Sequence, residues 1–535
     1  MSEPSRPAGD AASRAPRFLL LNALFPGLGH LAAGRMKWAL LLGGPILVLL
    51  LVMVVVALTT NSTSVAARMF DPAVLTALLV LQLLVVGWRL FAVGATRVVA
   101  PITARATTIA ALALSLVIVI GPQLVVAGLT VDARDAAEAV FEPVDEGGAW
   151  VPTESAPPIE SNDPDFAAED PSDLLPEESL SHTATPAVPR INVLLIGMDS
   201  GVGRNTALTD TMIVASLDPV GKTISMVSIP RDMVDVPLPD GRKYRGKING
   251  LVSYVRWHRG KFPGSKGVGQ SVLTAALGTL LNLKIDYWAQ VNLGGFVYLV
   301  DSVGGVNINV TDGFCDYRYK EYGIKGFNIT PGRYHMDGEA ALAYARVRKP
   351  LGESDFTRAA RQQEVLGGLR DRLVRGGFLD NPSRFLKSLG QTITTNIRPG
   401  VIADEIALAS DIGRKSVFRY VIEHPMVRSG FDERGSIQIP QVKKIRRLAA
   451  DLFTPTGVRP KGFETMPDPG DGPTRSPSKS STCGMPQKPK PTEKPRKTPK
   501  PTPKPTKPPK STPEPTPEPT PEPTPSSEPE SPSNP

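Results

Sequence analysis

The first quarter of the chain contains three apolar runs, each about as long as a helix that crosses a bilayer. Trp38–Leu58 and Thr107–Gly128 contain no charged residue, and Ala73–Gly94 contains only Arg89, near its end. A membrane-spanning helix needs about 20 predominantly apolar residues, and backbone groups in lipid must bond to one another, which favours a helix. The sequence therefore predicts three transmembrane helices, at residues 38–58, 73–94 and 107–128.

A shorter apolar run, Phe18–Ala33, precedes these three. Pro26 and two glycines interrupt it, which favours a re-entrant or interfacial segment. Basic residues flank the first span and separate the second from the third, whereas the chain becomes acidic after the third. By the positive-inside rule, residues 1–128 form a cytoplasmic N-terminus and a multi-pass membrane region, and everything beyond about residue 129 is extracytoplasmic.

The rest of the chain divides into three parts by composition. Residues 129–189 are rich in Asp, Glu, Pro and Ser, which predicts a flexible acidic linker. Strand-like and helix-like segments alternate from Arg190 to Phe453, which predicts one substantial α/β (α+β) domain. Residues 454–535 contain a Lys-Pro-Thr block and then PEPT repeats. Proline at this density predicts a disordered, extended tail, either a solvated spacer or an arm whose lysines contact an anionic wall polymer.

Charge and cysteine content add two points. The net charge of +8 does not indicate nucleic-acid binding, because much of the positive charge lies in the membrane flanks and the tail. Cys315 and Cys483 are the only cysteines. An oxidising exterior would permit a bridge between them, and two free thiols are the alternative.

Arginines lie beside carboxylates at the ends of several apolar runs in the domain. The segments are LLIGMDS, LTDTMIVASLD, SIPRD, ARVR and SDFTRAARQQ. Arginine forks bind phosphate oxygens in a bidentate way, and carboxylates among them typically hold a divalent cation. The pattern therefore predicts a pyrophosphate site. Its residues are Asp199, Asp210, Arg231, Asp232, Arg346, Arg348, Asp355, Arg358, Arg361, Gln362 and Gln363.

Local geometry predicts that these segments meet. TMIVASL and KTISMVSI should form a hairpin around DPVG; if Leu217 opposes Lys222, Asp210 and Arg231 lie at the same end of the sheet. The alternation in ALAYARVRK places Arg346 and Arg348 on one face if that segment is extended. SDFTRAARQQ has helical spacing that gathers its polar residues near the helix start, where the helix dipole favours phosphate. Asp355 is a candidate cap of that helix.

In order and spacing these motifs resemble the LytR-CpsA-Psr family. The resemblance is close over residues 190–375 and looser as far as Phe453, and it includes YWAQVNLGGFVYLVDSVGGVNINV and GRYHMDGEAALAYARVR. It implies a central mixed β-sheet flanked by helices, membrane attachment and an external catalytic domain. It also implies transfer of a glycopolymer (teichoic acid, arabinogalactan or capsular) from a polyprenyl-pyrophosphate carrier to peptidoglycan in cell-wall assembly.

The resemblance assigns roles to individual residues. Asp199 and Asp210 would be associated with Mg²⁺ (or Mn²⁺) and the pyrophosphate, and either could act as general base. The apolar interior of the domain would take the prenyl chain. Two features depart from the family pattern: Leu208 stands where many members have an arginine, and the membrane part is larger than the usual single anchor. The residues implied to grip the pyrophosphate are Arg231, Arg346, Arg348, Arg358 and Gln362, whereas Lys247 is either a ligand contact or an ordinary loop residue.

Three other functions remain open from the sequence. The same arginines would serve a polyprenyl-pyrophosphate hydrolase, with water as the acceptor. A membrane-bound transcriptional attenuator would need the domain on the cytoplasmic side. A non-catalytic wall anchor would depend on the tail and not on Arg231.

Overall fold

Within its described residues, the apolar N-terminal region contains five α-helices. The structure, a computed structural model, describes residues 8–59, 71–140, 149–152, 163–168, 190–199, 208–348, 354–397, 408–409, 411–452, 462–470 and 472–479. Three of the helices, α3, α4 and α5, are long and apolar enough to cross a membrane, and they coincide with the three predicted spans. The helices are α1 (Ala8–Leu24), α2 (Leu28–Ala32), α3 (Met36–Thr59), α4 (Pro72–Gly94) and α5 (Ala106–Val140).

The run predicted to be re-entrant or interfacial forms the end of α1, a turn and α2. Gly27 makes the turn with φ of 89°, and a Cβ at this position would overlap the carbonyl oxygen of Ala39. The buried Asn22 side chain accepts a hydrogen bond from the Gly29 amide and donates one to Thr96 Oγ1, both at 2.9 Å. These bonds fix the turn against the end of α4.

The domain is built on a seven-stranded mixed sheet, as the family resemblance implies. Its order is β12-β7-β2-β3-β4-β13-β16, in which β2–β7 and β4–β13 are parallel and the other neighbours are antiparallel. The apolar runs noted in the sequence form its centre. The strands are β2 (Ile191–Asp199), β3 (Leu208–Asp218), β4 (Thr223–Ser228), β7 (Tyr287–Asn292), β12 (Ile393–Thr395), β13 (Val417–Val421) and β16 (Glu464–Thr465).

Helices cover both faces of this sheet. One core lies between the sheet and α6, α7 and α12 and includes Trp288 and Phe262; a second lies under α8, α9 and α10 and includes Phe327 and Tyr344. The helices are α6 (Leu251–Trp257), α7 (Gly269–Leu281), α8 (Leu293–Ser302), α9 (Gly338–Arg346), α10 (Asp355–Val374), α11 (Pro382–Thr392) and α12 (Val442–Leu452).

Small sheets complete the domain. Three of them are two-stranded, and one has three strands in the order β1-β6-β5. The remaining strands are β1 (Phe166–Ala168), β5 (Val236–Pro237), β6 (Arg242–Tyr244), β8 (Val306–Val310), β9 (Phe314–Asp316), β10 (Phe327–Ile329), β11 (Gly332–Met336), β14 (Val427–Asp432) and β15 (Gly435–Pro440).

The described parts of the predicted acidic linker are folded, which corrects that prediction for them. Helix α5 continues to Val140, and its last residues pack on α11. Ser383 Oγ bonds to the Asp132 carboxylate there. Trp150 is buried in the first core and donates a 2.8 Å bond to the Pro263 carbonyl, and Phe166 is buried beside it. Trp150 and Phe166 thus anchor the described residues around them, although the average composition of the linker is polar.

The domain also extends past the predicted boundary at Phe453. Phe463 and Met466 are buried, and β16 pairs with β13. Further on, Lys479 Nζ lies 2.8 Å from the Asp337 carboxylate. We name residues 462–479 the strap, of which Asp471 is outside the described residues.

Cys315 is in a disulfide, and the chain's other cysteine, Cys483, lies outside the described residues, as does the rest of the tail.

Candidate active site

Three strand ends bring acidic and basic side chains to one edge of the central sheet. Asp199 is the last residue of β2, and it pairs with Leu208 at the start of β3. Met198 pairs with Thr209 and Gly197 with Thr211, so Asp210 is an extra residue in a β-bulge. A bulge redirects the side chain that it carries. Since β4 runs antiparallel to β3, the SIPRD arginine that follows β4 comes to the same edge.

The predicted β3–β4 register is wrong by two positions. Leu217 pairs with Ile224, not with Lys222, because DPVGKT forms a wider turn than expected. The observed register, continued to the strand ends, places Asp210 opposite Arg231. Arg231 Nη1 donates a 2.7 Å hydrogen bond to Asp210 Oδ1. The predicted register placed Asp210 and Arg231 two positions apart along the strands, whereas in the structure they lie opposite each other. The prediction that both residues lie at the same end of the sheet is therefore confirmed.

ALAYARVR is a helix end and not a strand, which corrects the second geometric prediction. Helix α9 begins at an Asp337 cap, whose carboxylate accepts the Ala340 amide at 2.9 Å. The Asp337 cap and the alanines of this segment both favour a helix, because the cap satisfies a free backbone amide and alanine has the highest helix propensity. Together they outweigh the alternation of small and charged residues that suggested an extended segment. Arg346 ends the helix and donates to Asp199 Oδ2 at 3.2 Å. Arg348, in the segment that follows, donates to Asp210 Oδ2 at 2.9 Å.

Helix α10 delivers the third group of predicted residues. Its cap is Ser354, in a reciprocal capping box with Thr357, and not Asp355, which is the first helical residue. Arg358 is buried and bonds to Asp355. Gln362 Nε2 donates to the Ala345 carbonyl at 3.4 Å.

The next predicted residues on α10 are structural. Arg361 donates to the Val347 carbonyl at 2.6 Å and stacks on Phe314, with 4.4 Å from Cζ to the ring centroid. It therefore fixes the segment between Arg346 and Arg348. Gln363 is fully buried and donates to Ser228 Oγ and the Tyr420 carbonyl, both at 2.9 Å. It joins α10 to the ends of β4 and β13.

Two further residues belong to the site. Lys247, left open by the sequence, lies 3.1 Å from Asp232 Oδ1. Glu321 accepts from Arg346 Nη1 at 2.5 Å, and no motif indicated it, since it lies in a polar loop after β9. We define the arginine–carboxylate cluster as Arg231, Lys247, Arg346, Arg348, Arg358, Asp199, Asp210, Asp232, Asp355 and Glu321.

Charges in this cluster are mutually stabilised. Burial acts to raise the pKa of Asp210, but the charges of Arg231 and Arg348 outweigh it and hold the pKa below its usual value. Burial and the neighbouring Arg348 lower the pKa of Arg358 to about 10. Burial and a hydrogen bond with Asp355 raise the pKa of Asp232. Arginines held in place by carboxylates are preorganised for an anionic ligand.

An apolar cavity of about 280 Å³ opens beside the cluster. Arg346 and Gln362 line it together with aliphatic side chains of the sheet and of α8, α10 and α11. Phe385 and Leu389 of α11 lie in its wall, and α11 is the helix on which α5 packs. The cavity therefore joins a polar end, with an arginine and an amide, to an apolar wall that includes α11, the helix that packs on α5.

The fit of a divalent cation can be judged from the carboxylates. Within the described residues no group of three or more His, Cys, Asp or Glu side chains could hold a metal ion. Asp199 and Asp210 lie on adjacent strands at the same edge, and Mg²⁺ is typically bound by one or two carboxylates together with substrate phosphates and waters. Two aspartates beside a phosphate site fit that manner of binding. The metal stays a prediction.

A sequence model of the LytR_cpsA_psr family matches residues 165–435, half of the chain. The chain belongs to the LytR-CpsA-Psr family. The matched region contains every residue of the arginine–carboxylate cluster, and it starts at the edge of β1 and ends at the turn between β14 and β15. The membrane helices and the strap lie outside it.

Relatives within the family are named as transferases. The polyisoprenyl-teichoic acid–peptidoglycan teichoic acid transferase TagV of Bacillus subtilis (strain 168) is 30% identical over 208 residues, 39% of this chain and 50% of TagV. The enzyme named TagU of Enterococcus faecalis (strain ATCC 700802 / V583) is 28% identical over 265 residues, 49% of this chain and 78% of TagU. The match thus spans only half the length of TagV. The crystal structure of B. subtilis TagV aligns with 49% of this chain and 95% of its own, with a TM-score of 0.39 and 24% identity.

Proposed function

We propose that this protein is a membrane-anchored, extracytoplasmic phosphotransferase. It would move a glycopolymer from a polyprenyl-pyrophosphate carrier to peptidoglycan. The observation that carries the proposal is the cluster at the polar end of an apolar cavity: four arginines from three separate segments converge where a pyrophosphate attached to a prenyl chain would lie. The names of TagV and TagU support teichoic acid as one polymer class, with arabinogalactan and capsular polymers as alternatives.

The reaction is an exchange at phosphorus. A peptidoglycan hydroxyl oxygen forms a bond to the phosphorus that carries the polymer sugar, and the bond from that phosphorus to the bridging oxygen breaks. Polyprenyl phosphate leaves with the electron pair. Asp199 or Asp210 takes the hydroxyl proton. Such a reaction depends on positioning and on charge stabilisation more than on a strong protein nucleophile.

The arginines would supply that stabilisation. Arg231, Arg346, Arg348 and Arg358 would donate to the pyrophosphate oxygens, with Gln362 at the cavity wall. The cluster has five cationic and five carboxylate side chains, so a bound pyrophosphate adds negative charge to a balanced site. Mg²⁺ held by Asp199 and Asp210 would neutralise part of that charge when bound.

The cavity and α5 would guide the carrier. The prenyl chain would lie among the aliphatic residues of the cavity, close to α11 and hence to the membrane helix. The positive-inside pattern supports an extracytoplasmic domain with three spans. We place the protein in the cell membrane as a multi-pass protein on this basis.

The test is transfer by the full chain in detergent micelles, with a lipid-linked glycopolymer and peptidoglycan oligomers as substrates. We expect a covalent glycopolymer–peptidoglycan product. Free glycan phosphate as the only product would replace this proposal with a hydrolase. Separately, protease added outside spheroplasts should cleave the domain. An intact domain with a clipped N-terminus would exclude an external enzyme and favour the attenuator hypothesis.

A further inference from the structure

A cleft of about 320 Å³ lies between α8 and α11, outside the arginine–carboxylate cluster. Arg384 and Lys387, one helical turn apart on α11, line it together with Tyr298 of α8. The side chains of Arg384 and Lys387 are 53% and 62% exposed, and Tyr298 is 61% exposed. Phe385 and Leu389 of the same helix line the apolar cavity instead. Helix α11 therefore separates the cavity from a basic cleft on its other side.

The aspartates beside the two cations are bound mainly to other donors. Asp132 accepts a serine hydroxyl of α11 at one oxygen, and its other oxygen lies 3.5 Å from Lys387 Nζ. Asp301 accepts the first backbone amide of α9 at 2.7 Å, and its other oxygen lies 3.9 Å from Arg384 Nη2. Both contacts are longer than a normal N–H···O hydrogen bond. Arg384 and Lys387 therefore keep N–H donors that can bind an anion in the cleft.

The contacts between α5 and α11 give the depth of the cleft relative to the bilayer. Lys387 lies beside Asp132, whereas Gly390, further along α11, lies beside Ala136. The two helices thus run in the same direction, and the first turns of α11 are the nearest to the membrane. Asp132 follows the end of the predicted span, Gly128, by four residues, a rise of about 6 Å at 1.5 Å per residue. Headgroups extend about 5 to 8 Å beyond the hydrocarbon core, so the cleft lies at headgroup depth.

Exposed apolar residues of α5 lie directly below the cleft. Val125 precedes Asp132 by seven residues, two helical turns, and therefore shares its face of α5. Val125 is 65% exposed and its neighbour Leu124 is 66% exposed. A phospholipid with its headgroup in the cleft would lay an acyl chain along these residues, whereas a free phosphate or a soluble glycan would contact the cations only. Two cations above an apolar helix surface therefore favour a lipid.

We propose that this cleft binds the headgroup of an anionic phospholipid, such as phosphatidylglycerol, in the leaflet where α5 ends. The site rests on the proposed membrane anchoring and not on the transfer reaction. Arg384 and Lys387 donate to the phosphate oxygens, for which the guanidinium offers a fork of N–H groups. Tyr298 lies at the depth where aromatic side chains with a polar group are enriched. A lipid bound here holds α11 at the membrane surface, with the cavity for the carrier on the other side of the helix.

The direct test is a titration of the full chain in dodecyl maltoside micelles with dioctanoyl-phosphatidylglycerol, in which native mass spectrometry measures the fraction of chains with bound lipid. Arg384→Gln and Lys387→Gln should each weaken binding about fivefold, and the double variant about thirtyfold, as expected for basic side chains near an anionic lipid. The control is Lys444→Gln with Arg447→Gln, because these exposed residues have the same spacing on α12. It should leave binding unchanged. Equal binding by the natural chain and the Arg384/Lys387 double variant, or equal loss in both double variants, would overturn the site.

Two other ligands test the headgroup and the source of the phosphate. Dioctanoyl-phosphatidylcholine should bind the natural chain more weakly than phosphatidylglycerol, and this comparison does not depend on the folding of a variant. Equal binding of the two lipids would overturn the anionic site. Farnesyl phosphate, a short analogue of the carrier, should bind the natural chain and the double variant alike. If the double variant lost farnesyl phosphate and kept phosphatidylglycerol, the cleft would belong to the path of the carrier and the proposal would be wrong.

The transfer assay separates this site from the proposed function. Phosphatidylglycerol binding that depends on Arg384 and Lys387, in a protein that transfers no glycopolymer, would support the lipid site and contradict the proposed function. Transfer by a chain that binds no phosphatidylglycerol would contradict the lipid site alone. Thermal melting in lipid-free micelles checks that each variant is folded.

Discussion

Asp210 is bound by an arginine at each of its carboxylate oxygens: Arg231 Nη1 lies 2.7 Å from Oδ1, and Arg348 Nη2 lies 2.9 Å from Oδ2. One arginine follows a strand of the sheet and the other follows α9. The aspartate in the bulge thus aligns two guanidinium groups that the chain brings from positions more than a hundred residues apart. Arg346 is held in a similar way between Asp199 and Glu321.

Removal of one cluster arginine should slow transfer strongly without loss of the fold. Arg346→Ala should lower kcat/KM by about a hundredfold, since one charge-assisted contact to a transition-state phosphate is worth on the order of 3 kcal/mol. The matched control is Arg134→Ala, because Arg134 forms an exposed pair with Glu138 on α5. Thermal melting of each variant checks the fold. A fully active Arg346→Ala protein would refute the assignment.

The contribution of Asp210 to the free energy of unfolding should depend on pH. Its pKa in the folded protein is held below the unfolded value of about 3.9 because, although burial opposes it, the charges of Arg231 and Arg348 dominate. A depressed pKa contributes stability that is present above the unfolded pKa and is lost as pH falls through the folded pKa. Asp210→Asn should therefore melt at a lower temperature than the natural chain at pH 7, and the difference should shrink below pH 4. A constant difference across that range would contradict the charge argument.

The cap of α10 should contribute to the position of Arg358. Ser354→Ala removes the side chain that accepts the Thr357 amide, at a cost of about 1 kcal/mol. Ser354→Asp keeps an acceptor and should retain the stability. Thermal melting measures the cost, and the KM for the lipid-linked donor should rise in Ser354→Ala only. If both variants melt alike, the capping box makes no contribution.

The sequence predicted which strand ends contribute to the site, but not the contacts that the side chains make within it. Asp210 and Arg231 could be placed together because two antiparallel strands joined by a short turn must return their ends to the same end of the sheet; Asp199 was assigned to the site by its motif alone. The bulge at Asp210 and the contact of Glu321 with Arg346 depend on tertiary packing that no local pattern records. ARVR was misread as a strand because a period-2 alternation of small and charged residues also fits a capped, alanine-rich helix end.

The same limit applies at the domain boundaries. Composition identified the acidic and proline-rich segments, but Trp150 and Phe463 are single aromatic anchors inside them, and both are buried. Membrane spans were predictable because lipid imposes a length and an apolar composition on each helix. The extension of α5 onto α11 could not be predicted, because the end of α5 is not apolar enough to count as part of a span and contains no recognisable motif.

The contact between α5 and α11 should matter for membrane-embedded donors. A Cβ at Gly390 would lie 3.0 Å from Ala136 Cα and 3.4 Å from Ala139 Cβ, so Gly390→Leu should force the two helices apart. We expect slower transfer from a long-chain donor in liposomes and unchanged transfer from a short-chain, soluble donor. Gly413→Leu is the control, because a Cβ at Gly413 would have no neighbour within 4 Å. Equal loss with both donors would show that Gly390→Leu damages the site itself.

The last prediction concerns the divalent cation. Asp199 and Asp210 end adjacent strands at the cluster, and hard carboxylate oxygens suit Mg²⁺ and Mn²⁺. The cationic and carboxylate side chains of the cluster are equal in number, so a bound pyrophosphate needs added positive charge. Removal of divalent cations by a chelator should therefore stop transfer, and added Mg²⁺ or Mn²⁺ should restore it. Calorimetry should show that Mg²⁺ binds in the presence of a lipid pyrophosphate and that Asp199→Asn weakens this binding. Transfer that continues in excess chelator, or an Asp199→Asn protein with full Mg²⁺ affinity, would make both aspartates anchors for the arginines only.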